Sequence, residues 1–398
     1  MSRSEVTTGS GRLRELVLIF LRLGTVAFGG PAAHVAMMRA ELVEKRGWLT
    51  DERFLDLYAA TNLIPGPNST ELAMHIGRER AGWPGLLVAG SCFIVPAALI
   101  TSGFAYIYTR YGALPALDDV FYGVKPTVLA IVAAAIVKLA RPTLKRLAHF
   151  LVGAALLACA LSGRVHELVV LALGALAGLL WMRRRVEPPK PAAPEHLRDG
   201  VETTTKLPSL VWAPALLGTP AVAPTAAKLG LVFLKIGSIL FGSGYILLAF
   251  LERDFVDTGW LTQQQLLDLV AIGQFTPGPV FTTATAIGWF LGGPSGAAAA
   301  TIGIFFPAFV LVALTHGLLG RLRASPTLSG LLDGVNVASL VLMAAVMVSL
   351  GRGALVSWPA IVIAVVATIA ALRTKWNPTW FLVGGALVGL AARGLHLA

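Results

Sequence analysis

Residues able to hold an anion recur inside apolar stretches of this chain. Asn68, Ser69 and Thr70 follow Pro65-Gly66-Pro67 directly, and Thr282 and Thr283 lie just beyond Pro277-Gly278-Pro279. Proline lacks a backbone donor and glycine is conformationally loose, so each tripeptide ends one helix and the polar residues cap the next. The first N–H groups of a helix are unpaired donors at the positive end of its dipole, and two such starts aimed at one point would favour an anion. Three cations join them. Arg22 and Lys235 stand in apolar runs beside Gly24/Gly29 and Gly237/Gly242, with Gly30 next in line, and Lys125 stands in a third run. A Lys or Arg at the centre of an isolated membrane helix costs at least about 2.5–3.5 kcal/mol, so each needs an anionic partner or a water-filled path. Carboxylates in apolar segments are fewer: Asp56, Glu71, Asp268 and Asp333.

The solvent for these segments follows from composition. Of 398 residues, 56% are hydrophobic and 13% charged, against about 25% charged in soluble domains, and the mean hydropathy is +0.74. Residues 84–109 carry no charge over 26 positions, more than the ~20 that span a bilayer. The net charge of +11 does not point to nucleic acid, because the basic residues cluster in short loops at the ends of apolar runs, where orientation signals belong. The polar stretch 1–11 and Arg22 in the first apolar run argue against a cleavable leader. Cys92 and Cys159 stand alone and form no metal pattern. No metal, cofactor or catalytic residue is expected.

The elements that position the polar residues are written twice. Phe20-Leu21-Arg22-Leu23-Gly24 faces Phe233-Leu234-Lys235-Ile236-Gly237, Trp48-Leu49-Thr50 faces Trp260-Leu261-Thr262, and Asp56 faces Asp268. The step from Trp to the first Pro of Pro-Gly-Pro is 17 residues in both halves. Further on, Pro96 matches Pro307, Gly123 matches Gly334, and Arg141 matches Arg352; the counterpart of Lys125 is Asn336. Such register marks an internal duplication. The domains are therefore residues 1–182, a charged and proline-rich linker at 183–227, and residues 228–398.

The expected fold is an all-α membrane protein of two homologous five-span halves. The spans are about 15–37, 84–109, 119–138, 146–163 and 165–182, then about 229–251, 294–319, 327–350, 354–372 and 377–393. Each Pro-Gly-Pro segment is read as a broken or re-entrant helix pair. Placing the Arg183-Arg184-Arg185 linker in the cytoplasm puts Arg39, Lys45, Arg46, Arg53, Arg78, Arg80, Lys138 and Arg141 inside, and leaves few basic residues outside. Five spans per half is an odd number, so the second copy enters from the opposite side. This is the inverted-topology repeat common in secondary transporters, whose substrate sits between the repeats at discontinuous helices.

Here the motifs carry a resemblance. Residues 28–35 (FGGPAAHV), 47–50 (GWLT), 65–67 (PGP) and Phe93-x-x-Pro96, with 241–245 (FGSGY), 259–262 (GWLT), 277–279 (PGP) and Phe306-Pro307, resemble the signature of the chromate ion transporter (CHR) family in its long-chain, two-domain form. The resemblance covers nearly the whole chain apart from linker and tails. It implies a multi-pass protein of the bacterial inner membrane that exports chromate under the proton motive force and gives chromate resistance. Its implied partners are the bilayer and a small oxyanion; the residues leave the oligomeric state open, a homodimer included. Chromate is close to sulfate in shape and charge, so the residues do not separate the two.

Other readings compete with this one. An anion channel or a sulfate or other oxyanion permease would share the fold, whereas an enzyme acting on a phosphorylated lipid would need a compact catalytic cluster that the sequence lacks. The expected anion site is Arg22, Gly29, Gly30, Asn68, Ser69, Thr70, Lys125, Lys235, Gly242, Thr282 and Thr283; the expected proton-coupling groups are Glu71 and His34. The static alternatives are that Arg22 and Lys235 pair with Asp56 and Asp268, that His34 and His75 are interhelical hydrogen-bond partners, and that the hydroxyls are simple caps. Topology gives the first test. Cysteine labelling should find the linker on the cytoplasmic side and Ala398 on the other; both on one side overturns the inverted repeat.

Overall fold

The computed structural model describes residues 9–28, 30–111, 115–144, 147–162, 165–181, 224–241, 246–318, 325–355, 357–374 and 376–394. Gly29, Gly242 and most of the linker at 183–227 lie outside the described residues. The first half forms α1 (Gly9–Val26), α2 (Gly30–Arg39, continued by a π-helical turn Ala40–Lys45), α3 (Asp51–Thr61), α4 (Asn68–Tyr111), α5 (Pro115–Thr143), α6 (Leu147–Leu161) and α7 (Glu167–Trp181). The second half forms α8 (Ala226–Ile239), α9 (Leu247–Leu251, continued by a π-helical turn Glu252–Val256), α10 (Gln263–Phe275), α11 (Thr283–Thr315, after a 3-10 turn Val280–Thr282), α12 (Pro326–Ala354), α13 (Trp358–Arg373) and α14 (Pro378–Gly394). The order of elements repeats, π-helical turns included.

Local chemistry explains the repeated motifs. In both copies of Gly-Trp-Leu-Thr the threonine caps the next helix: Thr50 Oγ1 accepts from Arg53 N–H at 3.2 Å, and Thr262 Oγ1 from Gln265 N–H at 3.1 Å. The expected spans at 15–37 and 229–251 are not single helices, since α1 ends at Val26 and α8 at Ile239. The carbonyls freed there are used by the other half. Gly278 N–H donates to Ala27 O at 2.8 Å, and Gly66 N–H donates to Leu240 O at 2.8 Å. Each Pro-Gly-Pro turn is thus tied to the end of the other copy's first helix.

Each Pro-Gly-Pro is the turn between two antiparallel helices. Arg53 near the start of α3 contacts Glu79 at the end of the first arm of α4, so α3 and that arm run side by side in opposite directions. That arm, 68–80, is about 20 Å long. The chain then reverses at Ala81-Gly82, with Gly82 at φ 64, and the backbones of Gly77 and Gly85 meet. α11 reverses in the same way at Gly292-Gly293, where Gly288 meets Gly296. The long arms of α4 and α11 are themselves antiparallel: Gly90 lies against Phe309, and His75 of the first α4 arm against His316 just past the end of α11.

The helices sort into two groups. α1 and α4 pack with α8 and α11, while α5, α6 and α7 pack with α12, α13 and α14. In the second group α5 lies against α13 and α14, and α12 against α6 and α7, so each long helix is held by the other half's last two. The crossings are glycine on glycine, Gly123 with Gly385 and Gly389, and Gly334 with Gly174 and Gly178, the close backbone approach favoured between membrane helices. The outer surface carries Leu99, Ile302, Leu314, Leu147 and Val366, all at least 60% exposed; their natural solvent is lipid. Four helical stretches (Asn68–Tyr111, Asp119–Arg141, Val280–Thr315 and Thr327–Arg352) are long and apolar enough to cross a bilayer, the first and third reversing as described.

Two glycine substitutions separate backbone strain from crowding. Gly82 has φ 64 and open space where a Cβ would stand, so Gly82→Ala should cost about 1–2 kcal/mol from its left-handed backbone alone. Gly278 has φ 88 and a Cβ there would overlap Ala97 and Gly24 O, so Gly278→Ala should add about 1–3 kcal/mol of overpacking. Thermal unfolding midpoints of the detergent-solubilised proteins should rank wild type above Gly82→Ala above Gly278→Ala.

Candidate functional site

A cavity of about 940 Å³ lies where the two Pro-Gly-Pro turns approach each other, between the two helix groups. Pro67, Asn68 and Ser69 line it from the first turn, and Pro279, Val280 and Phe281 from the second. The remaining polar wall comes from Tyr58 of α3 and Asn62 just past its end, Lys138 of α5, and Asp333, Asn336 and Ser339 of α12, with Thr374 and Asn377 beyond. Donors outnumber carboxylates on this wall. The Lys138 ammonium donates to Ala371 O at 2.9 Å, with Arg141 and Arg373 exposed nearby in sequence at the ends of α5 and α13.

The two turns serve the cavity unequally. On the first, α4 begins at Asn68, and its N-terminus opens on the cavity with the positive end of its dipole. Asn68 Nδ2 donates to Asn62 Oδ1 at 2.9 Å, while Asn68 Oδ1 has no partner among the described residues. Ser69 Oγ lies 3.2 Å from His34 Nδ1, and His34 Nε2 lies 3.0 Å from Ala27 O. His34 is therefore braced between the cavity wall and the carbonyl that receives Gly278. On the second turn the hydroxyls face inward: Thr282 Oγ1 donates to Pro279 O and Thr283 Oγ1 to Val280 O, both at 2.9 Å, and both side chains are buried. This turn presents Val280 and Phe281 to the cavity instead.

The structure does not bring the three expected cations together. α1 turns Phe20, Leu23 and Gly24 toward the core, with Gly24 against Phe93 O, which leaves Arg22 exposed. Arg22 lines a separate groove of about 460 Å³ with Glu41, Lys45 and Arg46; the Arg46 side chain 2.8 Å away holds the Glu41 carboxyl below the usual carboxylate range. α8 likewise buries Phe233, Ile236 and Gly237, and Lys235 pairs with Asp254 at 2.7 Å. Lys125 is buried and pairs with Asp268 at 3.0 Å, and Asp268 also accepts from Tyr108 Oη at 2.8 Å. Thr70 is buried and, like Gly30 and Gly66, is not among the residues lining the cavity.

Lys125 and Asn336 occupy corresponding places, so the ion pair marks the counterpart of the cavity in the other half. Asn336 faces open space, whereas Lys125 is closed onto Asp268. Lys138 corresponds to Ser349, and there too the open side contrasts with a filled one, where Ser349 contacts Glu252 and Gln263. Among the described residues, Asn336 and Lys138 line the cavity, while the corresponding Lys125 and Ser349 are closed onto Asp268 and onto Glu252 and Gln263. Tyr58, Asn62, Lys138, Asp333, Asn336, Ser339, Thr374 and Asn377 are polar lining residues the sequence reading left out of the site. Lys138 reads as a loop-end orientation signal, and only the register of α5 against α13 places it on a cavity wall.

A helical, multi-pass membrane protein with a polar cavity between two copies of one fold has the build of a transport protein rather than an enzyme. The chain belongs to the chromate transporter family, whose model matches residues 14–179 and 227–390. It is 30% identical to the chromate transport protein of Cupriavidus metallidurans, covering 96% of this chain and 93% of that one. It is 33% identical to a probable chromate transport protein of Synechococcus elongatus, covering 95% of each, and 30% identical to the chromate transport protein of Pseudomonas aeruginosa, covering 94% and 91%. No solved structure matches the chain.

The sealed side generates a stability test. Asp268→Ala leaves the Lys125 ammonium buried without its carboxylate and should cost about 3–5 kcal/mol. The double change Lys125→Met with Asp268→Leu should recover most of that loss, since well-packed apolar residues replace buried pairs at little cost. Unfolding midpoints of the two variants check the order.

Proposed function

We propose that this chain is a secondary transporter that exports chromate from the cytoplasm across the bacterial inner membrane, driven by the proton motive force, and so gives resistance to chromate. The observation that carries the reading is the donor-lined cavity at the meeting of the Pro-Gly-Pro turns. A tetrahedral dianion would sit against the α4 N-terminus at Asn68 and Ser69, with Lys138 and Asn336 completing the charge and hydrogen bonding. The antiparallel long arms of α4 and α11, and the exchange of hydrogen bonds between the turns, support an inverted repeat with each Pro-Gly-Pro hairpin re-entering the membrane. Under the positive-inside rule the cavity mouth, beside Lys138, Arg141 and Arg373, faces the cytoplasm, where a field of positive charge concentrates an anion.

The relatives named for chromate support chromate over sulfate as the cargo. The sealed Lys125–Asp268 side supports alternating access over a channel, since a channel needs a continuous open path. Glu71 is the proposed coupling group, and His34, which touches Ser69 at the cavity wall, is the proposed link between the anion and the second turn.

Flux in inverted membrane vesicles tests this. Imposed pH gradients should drive chromate uphill in wild type, with sulfate as competitor; downhill flux alone, whatever the gradient, supports the channel instead. Asn68→Ala and Lys138→Ala should each weaken chromate binding about tenfold or more, corresponding to the ~1.5–3 kcal/mol of a hydrogen bond to a charged group. Arg22→Ala should leave binding unchanged.

A further inference from the structure

Glu71 lies off the cavity. Asn68 and Ser69 line it, but Glu71 is fully buried on another face of α4, its carboxyl set against Gly66 and close to Ala308 of α11. Neither carboxylate oxygen has a hydrogen-bond partner among the described residues. An unpaired buried carboxylate is costly, and carrying a proton removes the charge. Such a group needs a path by which a proton arrives and leaves, and the anion cavity does not supply one.

A second path begins one helical turn away. His75, at i+4 from Glu71, is on the same face of α4, with about 6 Å between such positions. It is buried, and its Nε2 has no hydrogen-bond partner among the described residues. Its Nδ1 is 2.9 Å from His316 Nδ1, and the two rings stack with centroids 5.2 Å apart. His316 is half-buried at the end of α11. The charged groups facing this pair are Arg53 of α3 and Arg78 and Glu79 of α4, the residues that mark the outer end of the α3–α4 hairpin.

From this geometry we infer that His75 and His316 form a proton route between Glu71 and the aqueous face at Arg53 and Glu79, separate from the anion cavity. The inference rests on the proton-coupled reading above. The route moves one proton and leaves the Glu71 carboxyl ionised. The carboxyl gives its proton to His75 Nε2 by way of one bridging water, since the two groups do not touch; His75 passes Nδ1–H to His316 Nδ1, and His316 releases a proton from Nε2 to water. Each ring ends neutral in its other tautomer, and exchange of ring N–H protons with water restores the first. The route opens at the same end of the molecule as the cavity, so chromate loads while the proton leaves, as export against proton entry requires. The second half has no such path. Thr283 stands for Glu71, Ala286 and Ile287 occupy the place of His75, and Ala105 that of His316.

The test uses the full-length protein in proteoliposomes with two readouts: chromate-for-chromate exchange at equal pH, and proton movement on chromate addition, followed with an internal pH dye. Glu71→Gln, His75→Gln and His316→Gln should keep exchange within about twofold. Each should lose coupled proton movement by about a hundredfold, the low end of what a positioned proton-transfer group contributes. His316 is half-exposed, so its variant tests the route even where His75→Gln fails to fold, and exchange reports folding in each. Coupled proton movement at the wild-type level in His316→Gln overturns the route and leaves the role of Glu71 standing. Loss of exchange together with proton movement in folded His316→Gln protein overturns the separation of the two paths. Wild-type protein that moves chromate without protons overturns proton coupling itself, and the route with it.

Discussion

A backbone broken at membrane depth must find partners for its freed N–H and C=O groups inside the protein, because lipid offers none. In this chain the two breaks solve the problem for each other. Gly66 N–H takes the carbonyl freed where α8 ends, and Gly278 N–H takes the carbonyl freed where α1 ends, both at 2.8 Å. The exchange fixes the two turns side by side, places the α4 N-terminus at the centre of the molecule, and leaves the cavity between them. It also explains why Gly66 and Gly278 admit no side chain: one faces the Glu71 carboxyl and the other Ala97 across the seam.

Much of this was legible in the sequence, because its signals are local. Pro-Gly-Pro states a break through its own covalent chemistry, Thr50 and Thr262 state helix starts, and the repeated register states two copies. The spans at 119–138 and 327–350 fall inside α5 and α12 because long uncharged runs leave little choice. The ends of the first spans were missed because long apolar runs continue past them, although Gly29-Gly30-Pro31 and Gly242-Ser243-Gly244 offered local breaker signals. The carbonyls freed at those ends are taken up by the other half.

The site was harder to read for a related reason. Arg22 and Lys235 occupy matching places, and matching suggests a shared centre. Which face of α1 and α8 turns inward is decided by small residues, Gly24 and Gly237, packing on α4 and α11, and that choice sends both cations outward. Asp254, the partner of Lys235, lies 19 residues further along the chain and gives no local sign of its reach. Asn68 and Ser69 were readable as cavity residues because they follow the break directly. Thr282 and Thr283 look equivalent, but a 3-10 turn at Val280–Thr282 rotates their hydroxyls back onto their own backbone. Duplicated sequence here has produced one polar wall and one apolar wall.

The glycine reversals at Ala81-Gly82 and Gly292-Gly293 have a mechanical consequence. Backbone meets backbone at Gly77–Gly85 and at Gly288–Gly296, so each short arm is clasped to its long arm and the two move as one stiff lever. Asn68 and Ser69, at the tip of the short α4 arm, are therefore held at a fixed height against the long arm and cannot shift along it without breaking the Gly77–Gly85 contact.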